Sequence, residues 1–332
     1  MLNRILFVAH ISIIFISCNN FNERIETADL VANQIERMIR TVESDALFTA
    51  EKAREYFLYP QKYREGLFPD ARYEFYDNVM YHNPEDQGNG KFLYSGYYPV
   101  HEKEREKVKI LEHVIPDLKW LINESAYSEY LVQSYLITYD TLFVFYPYAD
   151  LISFIPPERN IQDRTGWKIM NAENNPDRIS KWTPPYVDTT GKGFIVDLLY
   201  PIDNQDMMEA FLGIDITIST LKNKFFDNVS EKMMLIDKTT SQIMAISDDA
   251  VDFLGVENAE AFRYLEMIDN SEIARQVMPD NLVLEKTSSE QMAELWSLLN
   301  ANKDFSLLID GKEHRVYRRL IEGPDWFLVL FE

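Results

Sequence analysis

The sequence predicts an α+β fold in which one long N-terminal helix packs along two successive antiparallel-sheet modules of unequal size. Three observations lead there. Apolar residues recur at helical spacing from Glu23 to about Tyr59 (Ile25, Ala28, Val31, Ile35, Met38, Ile39, Val42, Ala46). Four strand-like runs rich in β-branched and aromatic residues follow between Tyr130 and Ile216. The last third then repeats the theme as strand pair, helices and three strands.

The N-terminus precedes this plan. Arg4 supplies a positive charge, and Ile5 to Ile16 form an apolar stretch interrupted by His10. That stretch is too short for the roughly 20 helical residues that cross a bilayer. Phe15-Ile16-Ser17-Cys18 ends it, with the only cysteine of the chain, which rules out an internal disulfide or a multi-cysteine metal site. A small residue directly before a lone cysteine resembles a bacterial lipoprotein signal, with Phe15 at a position usually held by Leu. The alternative is a secretory peptide with an incidental cysteine. On the first reading residues 1–17 are a signal peptide and Cys18 is the lipidation site. The expectation is then tethering at the N-terminus by lipid, in the cell envelope, facing the periplasm or the exterior. No later apolar run exceeds strand length, and the chain reaches Glu332 directly after a strand. Output is therefore expected to pass to a separate membrane partner.

Asn19 to Asn22 reads as a linker, and residues 18–59 as linker plus helix ended by Pro60. A helix of about 35 residues reaches about 50 Å, enough to run along two stacked modules. Residues 60–100 are tyrosine-rich and read as irregular. Within them, His82 to Gly90 is polar and carries carboxylates, but it lacks the ligand spacing of a calcium loop and reads as an exposed turn. A second helix is expected over Glu102–Glu124, kinked or restarted at Pro116. Strands are expected at Tyr130–Ile137, Thr141–Tyr146, Phe194–Tyr200 and Met208–Ile216, with a short helix over Thr217–Phe225. The larger module is thus 60–226.

The smaller module, 227–332, opens with strands Met233–Asp237 and Gln242–Ser247 around a Lys-Thr-Thr-Ser turn. Helical pieces at Asp248–Leu254 and Ala259–Met267 follow, then a helix over Glu290–Ala301 behind a capping-box pattern at Ser288. Phe305–Asp310, His314–Leu320 and Trp326–Phe331 complete an antiparallel meander.

A net charge of −21 argues against a broad electrostatic patch for nucleic acid or anionic lipid. Catalytic signatures are missing: no Gly-x-Ser-x-Gly elbow, no His-Glu-x-x-His pair (His101 to Arg105 fails at its last position) and no phosphate-binding loop. No enzyme activity and no cofactor are expected.

The densest chemistry runs from Trp182 to Asp215. It combines Trp182-Thr-Pro-Pro-Tyr186-Val-Asp188, Gly191-Lys-Gly193 and Phe211-Leu-Gly213-Ile-Asp215-Ile216. Aromatic faces and two carboxylates suit a small cationic or zwitterionic ligand. Asp188 and Asp215 can pinch an ammonium, and empty they would repel and raise one pKa. Tyr186 offers a hydroxyl, Trp182 a cation–π face worth about 0.5–2 kcal/mol, and the two glycines a tight turn. Each residue has a plainer role available. Trp182 and Tyr186 can be core aromatics, Asp188 can cap its own turn, and Asp215, in an apolar strand, can sit in a structural salt bridge. Asp197 reads as solvated. Tyr146 and Tyr148 end a strand, and either can face the same region or away from it.

The long helix, the two sheets and the strand–helix segment Gly213-Ile-Asp-Ile-Thr-Ile-Ser-Thr-Leu221 resemble the double Cache family of extracytoplasmic sensor domains. Tyr135 to Tyr148 and Trp182 to Asp188 are similar to that family's larger sheet and pocket rim. The resemblance implies two PAS-like modules and a pocket for a small ligand such as an amino acid, an amine or an organic acid. One subgroup binds amino acids through Arg-x-Trp-Tyr, Tyr-x-Asp and a final Asp. Here Trp167, Tyr186-Val187-Asp188 and Asp215 supply the matching residues. Arg164 stands three rather than two positions before Trp167, and Lys168 replaces the Tyr. Arg164 is the candidate for a ligand carboxylate, with Lys168 as the fallback, and either Trp167 or Trp182 as the aromatic face. The resemblance implies a sensor of an amine or amino acid acting through a separate signalling protein. Delivery to a transporter, or a surface module with a vestigial pocket, are the alternatives.

Overall fold

The computed structural model describes residues 2–64, 73–76, 79–82, 91–94, 100–148, 160–188, 192–204, 207–227, 229–256 and 282–332. Side chains are described from Phe21 onward, those at 75, 76, 79, 81, 82 and 91–94 excepted. The chain divides into two compact units. One holds residues 38–220; the other holds residues up to Arg37 and those from Leu221 on, apart from a stretch outside the described residues.

Helix α1 runs Leu2–Leu58. It passes without a break through Asn19–Asn22, where a linker was expected, and Phe21 is fully buried. A buried phenylalanine beneath the Arg315 guanidinium, 4.1 Å from the ring centre, gives this turn a packing partner that a linker would lack. From Ala28 to Ala53 the residues at helical spacing are buried, as the pattern requires (Ile35, Met38, Ile39, Val42 and Ala46 among them). Cys18 falls in the part of α1 whose side chains lie outside the described residues.

The larger unit is built on a nine-stranded antiparallel sheet. Its strands are β1 (Tyr73–Tyr76), β2 (Val79–His82), β3 (Lys91–Tyr94), β4 (Gln133–Thr138), β5 (Leu142–Tyr146), β6 (Lys181–Trp182), β7 (Tyr186–Val187), β8 (Phe194–Asn204) and β9 (Met207–Thr217). The order is β1-β2-β3-β5-β4-β9-β8-β6, with β7 also on β8. The segment 60–100, expected to be irregular, contributes β1, β2 and β3, which extend the sheet beside β5. They are four residues each, too short and too interrupted for alternation to reveal. Residues 83–90 of the polar loop lie outside the described residues.

The expected second helix is two: α2 (Glu102–Leu111) and α3 (Ile115–Asn123), joined by a 3₁₀ turn. Pro116 sits in the first turn of α3, where its missing N–H costs nothing. Ser134 on β4 donates its hydroxyl to the Leu118 carbonyl at 2.9 Å, so α3 lies on one face of the sheet. The opposite face carries Tyr135, Ile137, Phe143, Phe145, Leu199 and Phe211. There α4 (Thr165–Met170) packs Trp167 and Met170 onto them. Gly166 permits that approach, since a Cβ there would come 2.9 Å from the Phe211 ring. Helix α5 (Ile218–Phe225) leaves β9.

The smaller unit has β10 (Lys232–Asp237), β11 (Ile243–Ile246), β12 (Asp304–Ile309), β13 (Lys312–Ile321) and β14 (Trp326–Phe331), in the order β11-β10-β14-β13-β12. Helices α6 (Asp248–Leu254) and α7 (Glu290–Ala301) accompany it, with Ser289 accepting from the Met292 N–H at the start of α7. The expected helix at Ala259–Met267 lies outside the described residues. The predicted hairpin turn is secured by Asp237, whose Oδ1 accepts from the N–H and hydroxyl of both Thr239 and Thr240 at 2.7–3.1 Å. Among the described residues no helix is long and apolar enough to cross a membrane.

Candidate functional site

The site lies on the α4 side of the larger sheet, at the end away from α4's aromatic contacts. Strands β8 and β9 pair there with Asp197 directly opposite Asp215, and β4 adds Gln133 opposite Asp215. Directly opposed residues share a face, with Cβ atoms about 4.5–5.5 Å apart. Asp197 and Asp215 are 1% and 2% exposed. Two buried carboxyl groups therefore meet on one surface of the sheet.

Around them, Tyr135 on β4 and Tyr186 on β7 both donate their hydroxyls to Asp197 Oδ2, the former at 2.9 Å. Thr183 accepts the Asp197 N–H at 2.9 Å, tying the incoming segment to β8. Asp188 is buried; its backbone N–H donates to the Gly193 carbonyl at 2.8 Å, and its Oδ2 accepts from the Lys192 N–H at 3.1 Å. Gly193 holds φ +84°, a left-handed conformation that suits glycine. Gly191 lies outside the described residues. Asp188 thus caps its turn as the plainer reading had it, while remaining close enough that its charge acts on Asp215.

Electrostatics follow from burial. Loss of water pushes the Asp197 carboxyl up to about 6, against the lowering effect of hydrogen bonds from Tyr186, Asp215 and Tyr135. Asp215 is held well above the ordinary carboxylate range, first by burial and then by the charges of Asp197 and Asp188, with Lys192 partly offsetting them. Burial and the Asp197 charge likewise raise Tyr135 and Tyr186, so both stay protonated donors. The two carboxyls act on one another, the Asp197 charge helping to raise Asp215. Two buried carboxyls this close favour holding one proton between them over carrying two charges. Among the described residues, Asp197 Oδ1 and Asp215 Oδ1 have no hydrogen-bond partner.

The predicted residues divide between the two faces. Tyr186, Asp188 and Asp215 converge. Trp167 is on the same face but in the aromatic cluster, 5.3 Å centre to centre and edge-on to Phe211, with its indole N–H unpartnered. Arg164 is half-buried at the N-terminal boundary of α4. Lys168 does not join them: it is exposed, because one residue on from buried Trp167 a helix turns by about 100°. Trp182 is a correction. It pairs with Leu198, one residue off Asp197, and so lies on the opposite face, where its indole N–H donates to Glu43 of α1 at 2.9 Å. Tyr146 is another. Opposite Ser134, it faces α3 and accepts from Asn123 Nδ2 at 2.9 Å. Asp197 is a third, buried at the centre rather than solvated. Tyr135 and Asp197 are the members of this cluster that sequence reasoning missed.

Among the described residues no group of histidine, cysteine and carboxylate side chains is arranged to hold a metal ion. What the arrangement can do is accept hydrogen bonds from a cation, through two buried carboxyl oxygens flanked by aromatic walls.

No family model and no curated protein matches the chain. Solved structures do. The ligand-binding domain of the Pseudomonas fluorescens chemoreceptor CtaA, solved with L-serine, is 14% identical over 93% of this chain and 95% of its own, with a TM-score of 0.51. The ligand-binding domain of the Campylobacter jejuni chemoreceptor Tlp3, in complex with 4-methylisoleucine, is 12% identical over 92% and 88%, with a TM-score of 0.49. The first likeness shows the fold: a mixed helix and sheet architecture of the kind found in chemoreceptor ligand-binding domains, with a long N-terminal helix and two antiparallel sheets.

Proposed function

We propose that this chain is a lipid-anchored, extracytoplasmic sensor that binds a small amine-bearing metabolite, an amino acid or amine, and relays occupancy to a separate membrane protein. The observation that carries the reading is the buried Asp197–Asp215 pair, with its unpartnered oxygens among Tyr135, Tyr186 and Asp188. Buried carboxyls are costly without a partner, and an ammonium group supplies both charge and donors. The aromatic cluster next to the pair suits the apolar body of such a ligand, and the Trp167 indole N–H can donate to an oxygen at its far end. Support for sensing comes from the fold shared with a chemoreceptor ligand-binding domain whose structure was solved with L-serine. Support for the anchor is the apolar stretch ending at Ser17-Cys18.

In the proposed layout residues 60–226 form the ligand-binding module and 227–332 the smaller one. Titration calorimetry and thermal shift against the amino acids and short alkyl amines test the ligand class. A saturable stabilisation by an amine, lost in Asp215→Ala, is the expected result. Failure of every amine and amino acid to bind would leave a vestigial pocket. Mass spectrometry of the mature protein tests the anchor: a diacylated Cys18 at the N-terminus supports it, and an unmodified terminus elsewhere refutes it.

A further inference from the structure

Asp197 lies outside the motif that suggested an ammonium site, yet it is the residue on which the cluster converges. Its Oδ2 is held by two tyrosine hydroxyls from different strands, and its backbone N–H by Thr183. The carboxyl is therefore fixed in position. Its Oδ1 is buried without a hydrogen-bond partner, as is Asp215 Oδ1, and the two residues stand directly opposite each other across the β8–β9 pair. Among the described residues, the groups set against the pair are Tyr135 and the neutral Gln133 from β4, Tyr186 from β7, Asp188 from the turn after it and Lys192 from the segment into β8.

Resting on the amine-binding reading above, we propose that Asp197 is a ligand-binding residue, and that the Asp197–Asp215 pair exchanges its shared proton for the ligand's cation.

Without a cation, one proton relieves the repulsion between two opposed buried carboxyls. An ammonium seated between them donates an N–H to each Oδ1, and a proton held there would occupy the same acceptor. The proton leaves from Asp215 to solvent, and the pair becomes two carboxylates bridged by the cation. Charge at the pair changes by nothing overall, since one unit of positive charge leaves as another enters. That balance lets a buried site take up a cation without carrying a new net charge. It also makes affinity depend on pH: acidification refills the pair and competes with the ligand, whereas mild alkalinity favours uptake while the amine remains protonated.

The test is calorimetry of the whole protein with n-butylammonium, and with L-alanine as second probe, at one pH in two buffers of different ionisation enthalpy. Infrared spectroscopy of the free and saturated protein follows the protonated-carboxyl band. We expect close to one proton released per probe bound, a tenfold loss of affinity for about each unit of acidification below neutrality, and disappearance of the band on saturation. Asp197→Asn should still bind, more weakly, with less proton release than wild type, because the Asp197 charge that helps Asp215 hold its proton is gone while an amide can donate to the Asp215 carboxylate. Should a probe bind with no proton release and an unchanged band, the exchange is overturned while the amine-binding reading stands. Should neither probe bind wild type at any pH, with the band present throughout, the amine-binding reading falls and the exchange with it. A band absent from the free wild-type protein overturns the exchange whether or not Asp197→Asn folds.

Discussion

The ring of Tyr135 lies over Gly213. The two residues oppose each other across β4 and β9, and a Cβ on Gly213 would come 2.1 Å from Tyr135 Cζ and 2.5 Å from its hydroxyl oxygen. The hydrogen atom that serves as the glycine side chain is what lets the tyrosine pass over β9 and reach Asp197 on β8. The ring stacks at 5.1 Å on Phe145 and meets Phe211 edge-on at 6.3 Å.

Gly213→Ala should displace that ring and break the hydrogen bond. Overpacking of about 1–3 kcal/mol and a lost bond to a charged group of about 1.5–3 kcal/mol both apply. A destabilisation of about 2.5–6 kcal/mol in urea unfolding is expected. Tyr135→Phe removes the hydroxyl alone and should cost less. In the double variant Gly213→Ala/Tyr135→Ala the two losses should fall short of additive, because the small side chain removes the clash. Additive losses would show that Tyr135 is not what Gly213 accommodates.

The carboxyl pair gives stability a pH dependence of definite sign. Asp197 rises from 3.8 to about 6 on folding, and Asp215 is also raised well above 3.8, both chiefly through burial. A carboxyl whose folded pKa is raised binds its proton more tightly in the native state. Its stabilising contribution is complete below about 4 and is lost as pH rises through the folded value. For Asp197 the window is about 4 to 6, and Asp215 contributes with the same sign. Other carboxyls of the chain act in their own ranges, so the comparison is with a variant. Asp215→Asn should lose stability less than wild type does between pH 5 and pH 8, as urea unfolding at each pH will read. An equal loss in both proteins refutes the raised carboxyl.

Much of this fold is legible in the chain. The helical spacing from Ile25 to Ala46 marks α1, and the β-branched runs mark β4, β5, β8 and β9, because each buries one face over many residues. The site was half legible. Tyr186, Asp188 and Asp215 stand in a recognisable pattern, but Asp197 does not. Its face depends on a bulge: β8 and β9 pair Asp203 with Met208 but Ile202 with Ala210, which leaves Glu209 extra. Without that residue Asp197 would oppose Ile214, on the other side of the sheet. No local preference in the sequence announces the bulge, and a one-residue shift decides whether the two carboxyls meet. Tyr135 carried a weaker signal, a lone glycine in the bulky strand of Phe211 to Ile216, which marks a close approach without naming what approaches.

Trp182 offers a direct check on the assignment of faces. Its indole N–H is hydrogen bonded to Glu43 on the side away from Asp197. Trp182→Phe should therefore cost about 1–2 kcal/mol of stability and leave affinity for an amine within twofold of wild type. Tyr186→Phe, which removes a hydroxyl from Asp197, should weaken the same amine by about tenfold. Parallel titrations of the two variants decide it. A larger affinity loss in Trp182→Phe than in Tyr186→Phe would place the tryptophan in the site.

In the smaller unit, Arg319 on β13 draws the first part of α1 onto its sheet. Its guanidinium donates to the Asp29 carbonyl at 3.3 Å and to Asp29 Oδ1 at 3.2 Å, to Asn33 Oδ1 at 2.7 Å and to Glu36 Oε2 at 3.1 Å. Tyr317, two residues earlier on the same strand face, adds a bond to Asp29 Oδ1 at 2.9 Å. The acceptors fall at 29, 33 and 36, one stripe of the helix, and a planar fork with several donors can span them where a single ammonium cannot. Arg319→Lys should thus behave as a loss rather than a conservative change. Asp29 is partly exposed, so the effect is screened, and about 1 kcal/mol is expected. The same substitution should speed amide hydrogen exchange over residues 26–36 of α1 and leave β8 and β9 unchanged. A Lys variant with wild-type exchange would mean that apolar packing by Ala28, Val31 and Ile35 holds this stretch of helix without the arginine.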